Sequence, residues 1–564
     1  MADSRQSVLT SQPGQAGRDY DRVPYPVLTH SYSHPDRLAV IGTLMGMHPT
    51  PVERCRVLEL GAASGGNLIP MAQGLPESHF VGIDLSAGQV AVGQETIRAL
   101  GLQNVALRCL DLMDLTPDLG QFDYIIAHGL FSWVPEPARR KILSICQENL
   151  APDGIAYVSY NTRPGWNMIS GLRDMMLYRT RYLDTPEARV QAARDLLDFL
   201  VEAVPAGSRS KTDNGMEVNA YGTWLKSWQE ILRDEPDAYL LHDLLEETNH
   251  PVYFHEFARM AAGYGLQYMA DADVSSMLPD NLPAKVVETL GTWAGSLVEM
   301  EQYLDFVRNQ TFRRSLICHV GVSLGRTVRP EMMADLCAAA HIQPEDPSPD
   351  VDGVTVVKFQ SGTGATFATN HPTTKAALIH LAEIWPRALS FHPLAAAARA
   401  RLDPTKAPAQ CVAGGDGDDR VLASNLLKGY TLPERLIHLH GMTPAMINEV
   451  SERPVASPWA RFQVSQGWSP PRTDDEGRTY CSVTNLWHRS IPLSVLECRL
   501  LPLLDGSHDR ADLLRILGAS ITTGEVEVEH AGTVVSDPAA LADILARDLD
   551  RSLGGLAQSA FLVG

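Results

Sequence analysis

The segment at residues 55–84 constrains the fold of this chain most, because it places a turn of small residues between two short apolar strands. It reads CRVLELGAASGGNLIPMAQGLPESHFVGID. The first strand, 57–60, enters the turn at 61–66, and a helix then continues to about residue 73. The second strand, 79–83, ends at Asp84. This order predicts a βαβ unit of a parallel sheet, with the turn at the carboxyl end of the first strand, where such sheets bind ligands.

The residue types in this unit suit a nucleoside ligand. Small side chains in the turn let the backbone pass close to a bound molecule. The carboxylate of Asp84 can accept hydrogen bonds from ribose hydroxyls, and Glu59 can orient the turn or bind an amino group. A nicotinamide-binding unit prefers G-x-G-x-x-G, whereas a methyltransferase prefers an acid followed by G-x-G-x-G. Ala63 replaces the middle glycine of both patterns, so the turn alone does not choose between them.

The segments that follow favour a methyltransferase. A third strand, 105–110, ends at Asp111, where methyltransferases bind the adenine amino group while the next backbone amide, here that of Leu112, contacts the ring. A fourth strand from Phe122, a helix at 136–150, a P-x-G turn and a fifth strand complete the expected order. We therefore predict an α/β fold with a Rossmann-like class I methyltransferase sheet that binds S-adenosyl-L-methionine.

Five segments resemble one bacterial family, in which a methyltransferase domain is followed by a methyltransferase regulatory domain. They are DYDRVPYP at 19–26, ELGAASGGNLIPMA at 59–72, IIAHGLFSWVP at 125–135, YVSYNTRPGW at 157–166 and YLLHDLLEETNHPVYFHEF at 239–257. The resemblance extends to rickettsial-type protein-lysine methyltransferases. It implies S-adenosyl-L-methionine as the cofactor and a lysine side chain of a protein or peptide as the methyl acceptor.

We expect the cofactor to contact an arm before the first strand and the loops that follow the first four strands. The residues predicted to bind it are Tyr20, Tyr25, Glu59, Gly61, Ala63, Gly65, Asn67, Asp84, Leu85, Asp111, Leu112 and His128. No metal site is predicted, because the eight cysteines lie far apart and form no C-x-x-C pair.

Methyl transfer needs an aligned acceptor whose nitrogen carries no proton. The ends of the fourth and fifth strands supply the catalytic candidates, His128, Trp133, Tyr160 and Asn161. For His128, a role as base or in positioning the acceptor competes evenly with a hydrogen bond that shapes the loop. Trp133 is predicted to be a lid or a core residue, and Tyr160 and Asn161 are expected to face the cleft.

Charge bears on the choice of substrate. With 67 acidic and 47 basic residues, the chain has a net charge of −20, which disfavours nucleic acid and favours a cationic partner such as a lysine-bearing protein. The sequence AHGL at 127–130 also lacks the Asn/Asp-Pro-Pro-aromatic signature of enzymes that methylate base amino groups. A small-molecule or natural-product O- or N-methyltransferase, a non-catalytic cofactor-binding regulator and a homodimer stay open.

The remaining sequence predicts several further units. We expect a disordered tail at 1–18, a methyltransferase domain at 19–325 with a helical insertion at about 166–250, a winged-helix-like domain at 326–405, a helical linker at 406–455 and a C-terminal winged-helix-like domain at 456–564.

Within these units, the strand-like segments LQYMA and FRRSLICHVG are expected to form an antiparallel pair at the sheet edge. A helix at 331–340 is expected to open the first winged-helix-like domain. No apolar run is long enough to span a bilayer, so we predict no membrane insertion. The N-terminal segment MADSRQSVLTSQPGQAGRDYD is polar and carries no apolar signal-peptide core, so we expect a cytoplasmic protein.

Overall fold

The computed structural model describes Val23 and residues 27–206, 219–279, 282–403, 416–432, 434–473, 477–522 and 538–564. It also describes two short strand pairs, Lys211–Thr212 with Gly215–Met216 and Glu529–His530 with Thr533–Val534. The tail predicted at 1–18, and the predicted cofactor contacts Tyr20 and Tyr25, lie outside the described residues.

A seven-stranded sheet forms the centre of the N-terminal half. Its strands are β1 (Arg56–Leu60), β2 (His79–Asp84), β3 (Val105–Cys109), β4 (Phe122–Ala127), β5 (Leu150–Asn161), β6 (Leu266–Asp271) and β7 (Phe312–His319). Their order across the sheet is β3-β2-β1-β4-β5-β7-β6. The first five strands are parallel, whereas β7 runs antiparallel to both β5 and β6. The predicted Rossmann-like sheet and its antiparallel closing pair are therefore confirmed.

Helices cover both faces of this sheet, so its strands are buried on both sides. These helices are Pro35–Leu44, Leu68–Gly74, Ala87–Ala99 and Glu136–Asn149. The third of them begins after Ser86, whose side chain accepts a hydrogen bond from the backbone amide of Gln89. In β5 all seven residues from Ile155 to Asn161 are buried, so neither face of this part of the strand is exposed.

Strand register places the carboxyl ends of β1, β2 and β3 at one edge of the sheet. Glu59 of β1 lies opposite Gly82 of β2, and Asp84 at the end of β2 lies opposite Cys109 of β3. The turn after β1, Asp84 and the residues after β3 therefore border a single crevice.

The insertion predicted after β5 is helical. Its elements are the helices Trp166–Thr180, Pro186–Ala203, Ala220–Asp234 and Asp237–Tyr239 and the π-helical turn Leu240–Leu244. They bury an apolar cluster of their own, which includes Leu172, Leu197, Leu225 and Leu240. The chain then returns to the sheet through the helices Phe254–Ala262, Val274–Met277, Ala284–Trp293 and Leu297–Arg308.

The prediction of a helix at 331–340 is wrong. A 3-10 helix at Pro330–Asp335 is followed by the strand Cys337–Ala339, which pairs with both Leu389–Ser390 and His438–His440. The run MMADLCAAA favours a helix by intrinsic propensity, but pairing with two distant segments overrides it. The other elements of this region are the strands Ile342–Pro344, Val357–Ser361 and Thr366–Thr369 and the helices Pro372–Ile384, Phe391–Leu402 and Asp416–Thr431.

The C-terminal region has its own apolar core, formed by residues such as Val483, Leu500, Leu513 and Phe561. Its elements are the helices Pro458–Ser465, Val495–Leu500, Arg510–Thr522 and Pro538–Gln558 and the strands Arg472–Thr473, Thr479–Thr484 and Ser490–Ser494. Within the described residues, no helix is both long and apolar enough to cross a membrane.

Candidate active site

The turn after β1 has a backbone that favours glycine. Gly61 and Gly65 have φ angles of +73° and +79°, in the left-handed region. A Cβ atom at Gly65 would lie 2.9 Å from side-chain atoms of Ile69 and Leu107. The small residues predicted to line the ligand are therefore also needed for the turn itself.

Ala63 takes the left-handed conformation where the family pattern has glycine. Its φ is 47°, a conformation that costs an alanine about 1–2 kcal/mol. Its backbone amide donates to Oδ2 of Asp84 at 2.8 Å, and the amide of Ser86 donates to Oδ1 of Asp84 at 2.9 Å. Asp84 thus ties the turn to the end of β2. A carboxylate offers about four acceptor positions, so these two backbone bonds are compatible with ribose hydroxyls.

Glu59 is buried beneath the turn, with 3% of its surface exposed. Its Oε1 accepts a hydrogen bond from Nδ2 of Asn67 at 2.7 Å, while its Oε2 has no hydrogen-bond partner among the described residues. Burial raises the pKa of Glu59 to about 7. A cationic amino group placed against Oε2 would satisfy this oxygen and favour the ionised carboxylate.

The outer end of the crevice is open to solvent. Leu85, directly after β2, has 57% of its surface exposed, and Asp111 after β3 is also exposed. Oδ1 of Asp111 accepts a hydrogen bond from the backbone amide of Met113 at 2.9 Å, and Leu112 between them is half-buried. Asp84, Leu85, Asp111 and Leu112 therefore lie on neighbouring loops at the same sheet edge, as an adenosine would require.

The chain before β1 covers the turn. A Cβ atom at Gly66 would lie 2.6 Å from Cγ1 of Val27. The backbone amide of His30 donates to Oδ1 of Asn67 at 2.9 Å, and Nδ2 of Asn67 donates to Oγ of Ser33 at 3.1 Å. The described part of the arm thus folds back over the predicted cofactor site.

His128 follows β4 and is partly buried. Its ring stacks on that of His30 with 3.6 Å between the centroids, and its Nδ1 lies 2.9 Å from the hydroxyl of Tyr157. Burial, with contributions from His30 and Arg314, lowers the pKa of His128 well below its usual value. Burial and Arg314 likewise lower the pKa of His30 to about 4. Both imidazoles are therefore neutral at pH 7.

The prediction that Tyr160 faces the cleft is wrong. Its ring stacks on Phe257 with 4.3 Å between the centroids, and its hydroxyl lies 2.9 Å from Oγ of Ser315. Side chains alternate along a strand, so Tyr157, Ser159 and Asn161 share one face and Tyr160 lies on the other. Tyr157 is the tyrosine that reaches His128.

Asn161 is buried on the same face as Tyr157. Its backbone amide donates to Oγ of Ser132 at 2.9 Å, and its Nδ2 has no hydrogen-bond partner within the part of the chain that the structure describes. Trp133 instead packs on the insertion, edge-on to Trp166 at 6.1 Å, with the guanidinium carbon of Arg173 5.8 Å from its ring centroid. These contacts fit a packing residue of the insertion rather than a lid over the adenine.

The residues at this edge fit S-adenosyl-L-methionine. The positive-φ glycines allow the tight turn after β1, Asp84 presents a carboxylate beside that turn, and Oε2 of Glu59 is a buried acceptor without a partner among the described residues. A separate cavity, of about 680 Å³, is lined by residues that include Met47, Gln121, Leu150 and His319. Since these residues lie at the opposite ends of the strands, that cavity is not part of the crevice.

Three family models match the chain. A methyltransferase domain matches residues 57–154, a predicted methyltransferase regulatory domain matches 236–319, and the PKMT C-terminal winged helix domain matches 452–561. The fold, the site and these matches define the class of the protein: it is an S-adenosyl-L-methionine-dependent methyltransferase with a Rossmann-like catalytic sheet.

The comparisons with individual proteins narrow this class. The uncharacterized protein RP789 of Rickettsia prowazekii is 33% identical over 527 residues, which are 92% of this chain and 89% of that protein. The structure of PKMT2 from Rickettsia typhi in complex with AdoHcy superposes with a TM-score of 0.80 at 30% identity, covering 96% of this chain and all of that one. The chain belongs to this family of methyltransferases, in which a regulatory domain and a PKMT-type winged helix domain follow the catalytic domain.

Sequence reasoning missed four residues around the crevice: His30, Tyr157, Arg314 and His488. His488 comes from the C-terminal winged helix domain, and its Nε2 lies 2.8 Å from Oδ1 of Asn67. His30, Arg314 and His488 are far from the glycine turn along the chain, so no local motif identifies them. Tyr157 lies within the segment YVSYNTRPGW, but the sequence predicts the other tyrosine of that segment, Tyr160.

Proposed function

We propose that this enzyme transfers methyl groups to the side-chain nitrogen of lysine in a protein or peptide. The observation that carries the proposal is similarity over nearly the whole chain to PKMT2, a name that denotes a protein-lysine methyltransferase. The similarity includes the C-terminal winged helix domain as well as the cofactor sheet. It therefore extends beyond the cofactor-binding part to a domain that we propose selects the substrate.

The surroundings of His128 are consistent with an acceptor whose amine is neutral. A lysine has an ordinary pKa near 10.4 and attacks the sulfonium methyl only after losing its proton. Burial and the charge of Arg314 lower the pKa of both His30 and His128. Burial and the charge of Arg314 would also disfavour a lysine ammonium beside these two histidines. They would therefore favour the reactive, neutral form of lysine.

We assign His128 a positioning role rather than that of a base. A group whose pKa lies well below 6.5 holds a proton too weakly to take one from lysine at pH 7. Its bond with the Tyr157 hydroxyl fixes the ring, so that Nε2 can align the incoming nitrogen. The proton of the lysine would then leave to water before the methyl is transferred.

The cofactor contacts follow the order of the strands. We propose that Gly61, Ala63 and Gly65 lie against the methionine arm and that Glu59, held by Asn67, binds its amino group. Asp84 would accept the ribose hydroxyls beside Leu85. Asp111 and the amide of Leu112 would bind the adenine at the open end.

We place this activity in the cytoplasm. The seven cysteines among the described residues are all free thiols, and six of them are buried. Such usage fits a reducing compartment, where disulfides do not persist.

The proposal is tested with S-adenosyl-L-methionine that is tritiated in its methyl group and with a lysine-rich protein as acceptor. A matched sample of the same protein with acetylated lysines is the control. We expect label on lysine, stable to alkali, in the first sample and none in the second. Equal labelling of both samples, alkali-labile label, or label found only in small molecules of a lysate would overturn the lysine assignment.

A further inference from the structure

A second cavity, of about 290 Å³, lies between the N-terminal segment 31–37 and two C-terminal segments, 430–440 and 487–489. We call it the interdomain pocket and define it by Tyr32, Arg37, Tyr430, Arg435, His440 and Arg489, all of which line it. None of the cofactor contacts assigned above lines it.

The interdomain pocket is rich in guanidinium groups although the protein is strongly acidic. The guanidinium carbons of Arg37, Arg314 and Arg435 lie 4.5, 4.3 and 5.1 Å from the ring centroid of Tyr32. Arg489 lies over the neighbouring ring of Trp487, 5.5 Å from its centroid. Three of these cations, Arg37, Arg435 and Arg489, line the interdomain pocket, and Arg314 lies beside it against the Tyr32 ring.

Acidic groups compensate this charge only in part. Arg435 donates to Oδ1 of Asp273 at 2.8 Å, which is an ion pair. Asp36 is held by Nδ1 of His440 at 2.7 Å and by the amide of Gly441, also at 2.7 Å. Glu434 is exposed at the rim.

The other two cations that line the pocket bind neutral acceptors. Arg37 donates from Nε and Nη2 to the backbone oxygen of Ala272, and Arg489 donates to Nδ1 of His438 at 3.0 Å. Burial, together with the charges of Arg37 and Arg435, lowers the pKa of Arg489 to about 10. A buried cation without a carboxylate is costly, and a bound anion would offset that cost.

Two further polar atoms of the lining have no hydrogen-bond partner among the described residues. They are the hydroxyl oxygen of Tyr430 and Nε2 of His440, and both residues are more than nine-tenths buried. Buried polar atoms in native proteins are rarely left without a partner. The Tyr430 hydroxyl can donate to an acceptor placed in the interdomain pocket. Nε2 of His440 can donate to it only in the imidazolium form, because Nδ1 already donates to Asp36.

We propose that the interdomain pocket binds a small oxyanion, a molecule that carries a phosphate or carboxylate group. Arg489 and Tyr430 donate to it, and His440 donates to it from Nε2 as an imidazolium whose Nδ1 is held by Asp36. Arg37 and Arg435 supply further positive charge. The volume suits a small molecule, and the ligand contacts both the N-terminal helix segment and the C-terminal region. Its binding therefore stabilises their association.

The test is calorimetry and thermal unfolding with inorganic phosphate and with malonate, at constant ionic strength. Saturating S-adenosyl-L-methionine is present, so that the cofactor occupies the crevice and neither anion can bind there. We expect one anion per chain to bind and to raise the Tm, and the preferred anion identifies the ligand as a phosphate or a carboxylate. Failure of both anions to bind, or binding of both without any rise in the Tm, would overturn the proposal.

Variants test whether the anion binds in the interdomain pocket. We expect Arg489→Gln to weaken it by about tenfold or more, as for loss of a charged hydrogen bond, and Tyr430→Phe by about three- to tenfold. The exposed Arg472→Gln is the matched control and leaves binding unchanged. Tyr430→Phe removes only a hydroxyl without a described partner, so we expect this variant to fold. It therefore tests the assignment even if Arg489→Gln fails to fold. Wild-type affinity in Tyr430→Phe would contradict the assignment.

Discussion

Nε2 of His488 lies 2.8 Å from Oδ1 of Asn67, so the winged helix domain contacts the first residues after the glycine turn. An amide oxygen only accepts, and His488 therefore carries a proton on Nε2. The other end of the Asn67 amide donates to Glu59 at 2.7 Å. Two hydrogen bonds thus connect the C-terminal domain to the carboxylate beneath the cofactor crevice.

This connection predicts that His488→Ala weakens S-adenosyl-L-methionine binding although His488 does not contact the cofactor. Without the imidazole, Asn67 loses one of the bonds that orient it toward Glu59. We expect a loss of about 1 kcal/mol, roughly fivefold in Kd, by calorimetry. His79→Ala, at the exposed start of β2, is the control. An unchanged Kd in His488→Ala would mean that Asn67 is held well enough by its other partners.

Asp84→Ala is expected to weaken cofactor binding by about 1–3 kcal/mol, because the ribose hydroxyls lose a charged acceptor. The turn also loses the bond from the amide of Ala63, which holds that residue in its left-handed conformation. Equilibrium binding of S-adenosyl-L-methionine measures the effect, with the exposed Asp118→Ala as control. Equal affinity of Asp84→Ala and the wild type would place the ribose elsewhere.

The raised pKa of Glu59 predicts that the stability of the cofactor-free protein depends on pH. Its pKa is 4.5 in the unfolded chain and about 7 in the cofactor-free folded protein. Because the folded state binds the proton more tightly, the contribution of Glu59 to stability is present below pH 4.5 and is lost as the pH rises to about 7. A shift of this size corresponds to about 3 kcal/mol. Chemical unfolding at pH 8 should therefore find cofactor-free Glu59→Gln more stable than the wild type, with no gain at pH 4.

The raised pKa of Glu59 also predicts that cofactor affinity depends on pH, but affinity rises with pH where stability falls. Ionised Glu59 attracts the cofactor's amino group, so the wild-type affinity should rise between pH 6 and pH 8. Glu59→Gln should bind more weakly at pH 8, and its affinity should not show this rise. Calorimetry at both pH values checks this. Parallel pH profiles for the two proteins would show that Glu59 does not contact the amino group.

Tyr157→Phe is expected to slow methyl transfer by about tenfold while leaving the affinity for S-adenosyl-L-methionine unchanged. The variant removes the hydroxyl that lies 2.9 Å from Nδ1 of His128 and so frees the ring to reorient. Tyr160→Phe is a matched control, because its hydroxyl contacts Ser315 on the opposite face of the strand. Single-turnover rates and cofactor binding separate the two effects. A slower rate in Tyr160→Phe alone would reverse the assignment of the two tyrosines.

The acidic residues of the crevice were predictable because each ends a strand that the local sequence identifies. Glu59, Asp84 and Asp111 follow short apolar runs, and parallel strands bring their carboxyl ends to one edge. The choice between Tyr157 and Tyr160 was not predictable in the same way. Both faces of β5 are buried, so its sequence does not alternate between apolar and polar residues and gives no indication of which face meets His128.

Contacts between distant segments explain the other differences. His30, Arg314 and His488 meet near the turn only after the arm, the regulatory region and the winged helix domain have packed together. The strand Cys337–Ala339 replaces a predicted helix because its partners are Leu389–Ser390 and His438–His440. In each case the deciding partner lies far away along the chain.

A buried ion cluster stabilises the regulatory region, and its removal gives the last prediction. The Arg313 side chain is 4% exposed and binds Glu301 at 2.8 Å and Asp305 at 2.7 Å, with Asp271 at 3.9 Å. Removing one partner of such a cluster leaves carboxylates buried without a cation, which costs about 3–5 kcal/mol.

Arg313→Leu should therefore lower the free energy of unfolding by about that amount at pH 8, measured by urea unfolding. Burial already raises the pKa of Glu301 to about 7 in the presence of Arg313, and loss of the cation would raise it further. Since a protonated carboxyl is cheaper to bury, the destabilisation should be smaller at pH 5 than at pH 8. The exposed Arg472→Leu should show neither the loss nor its pH dependence. A loss of equal size at both pH values would indicate that packing of the arginine stem, rather than its charge, stabilises the region.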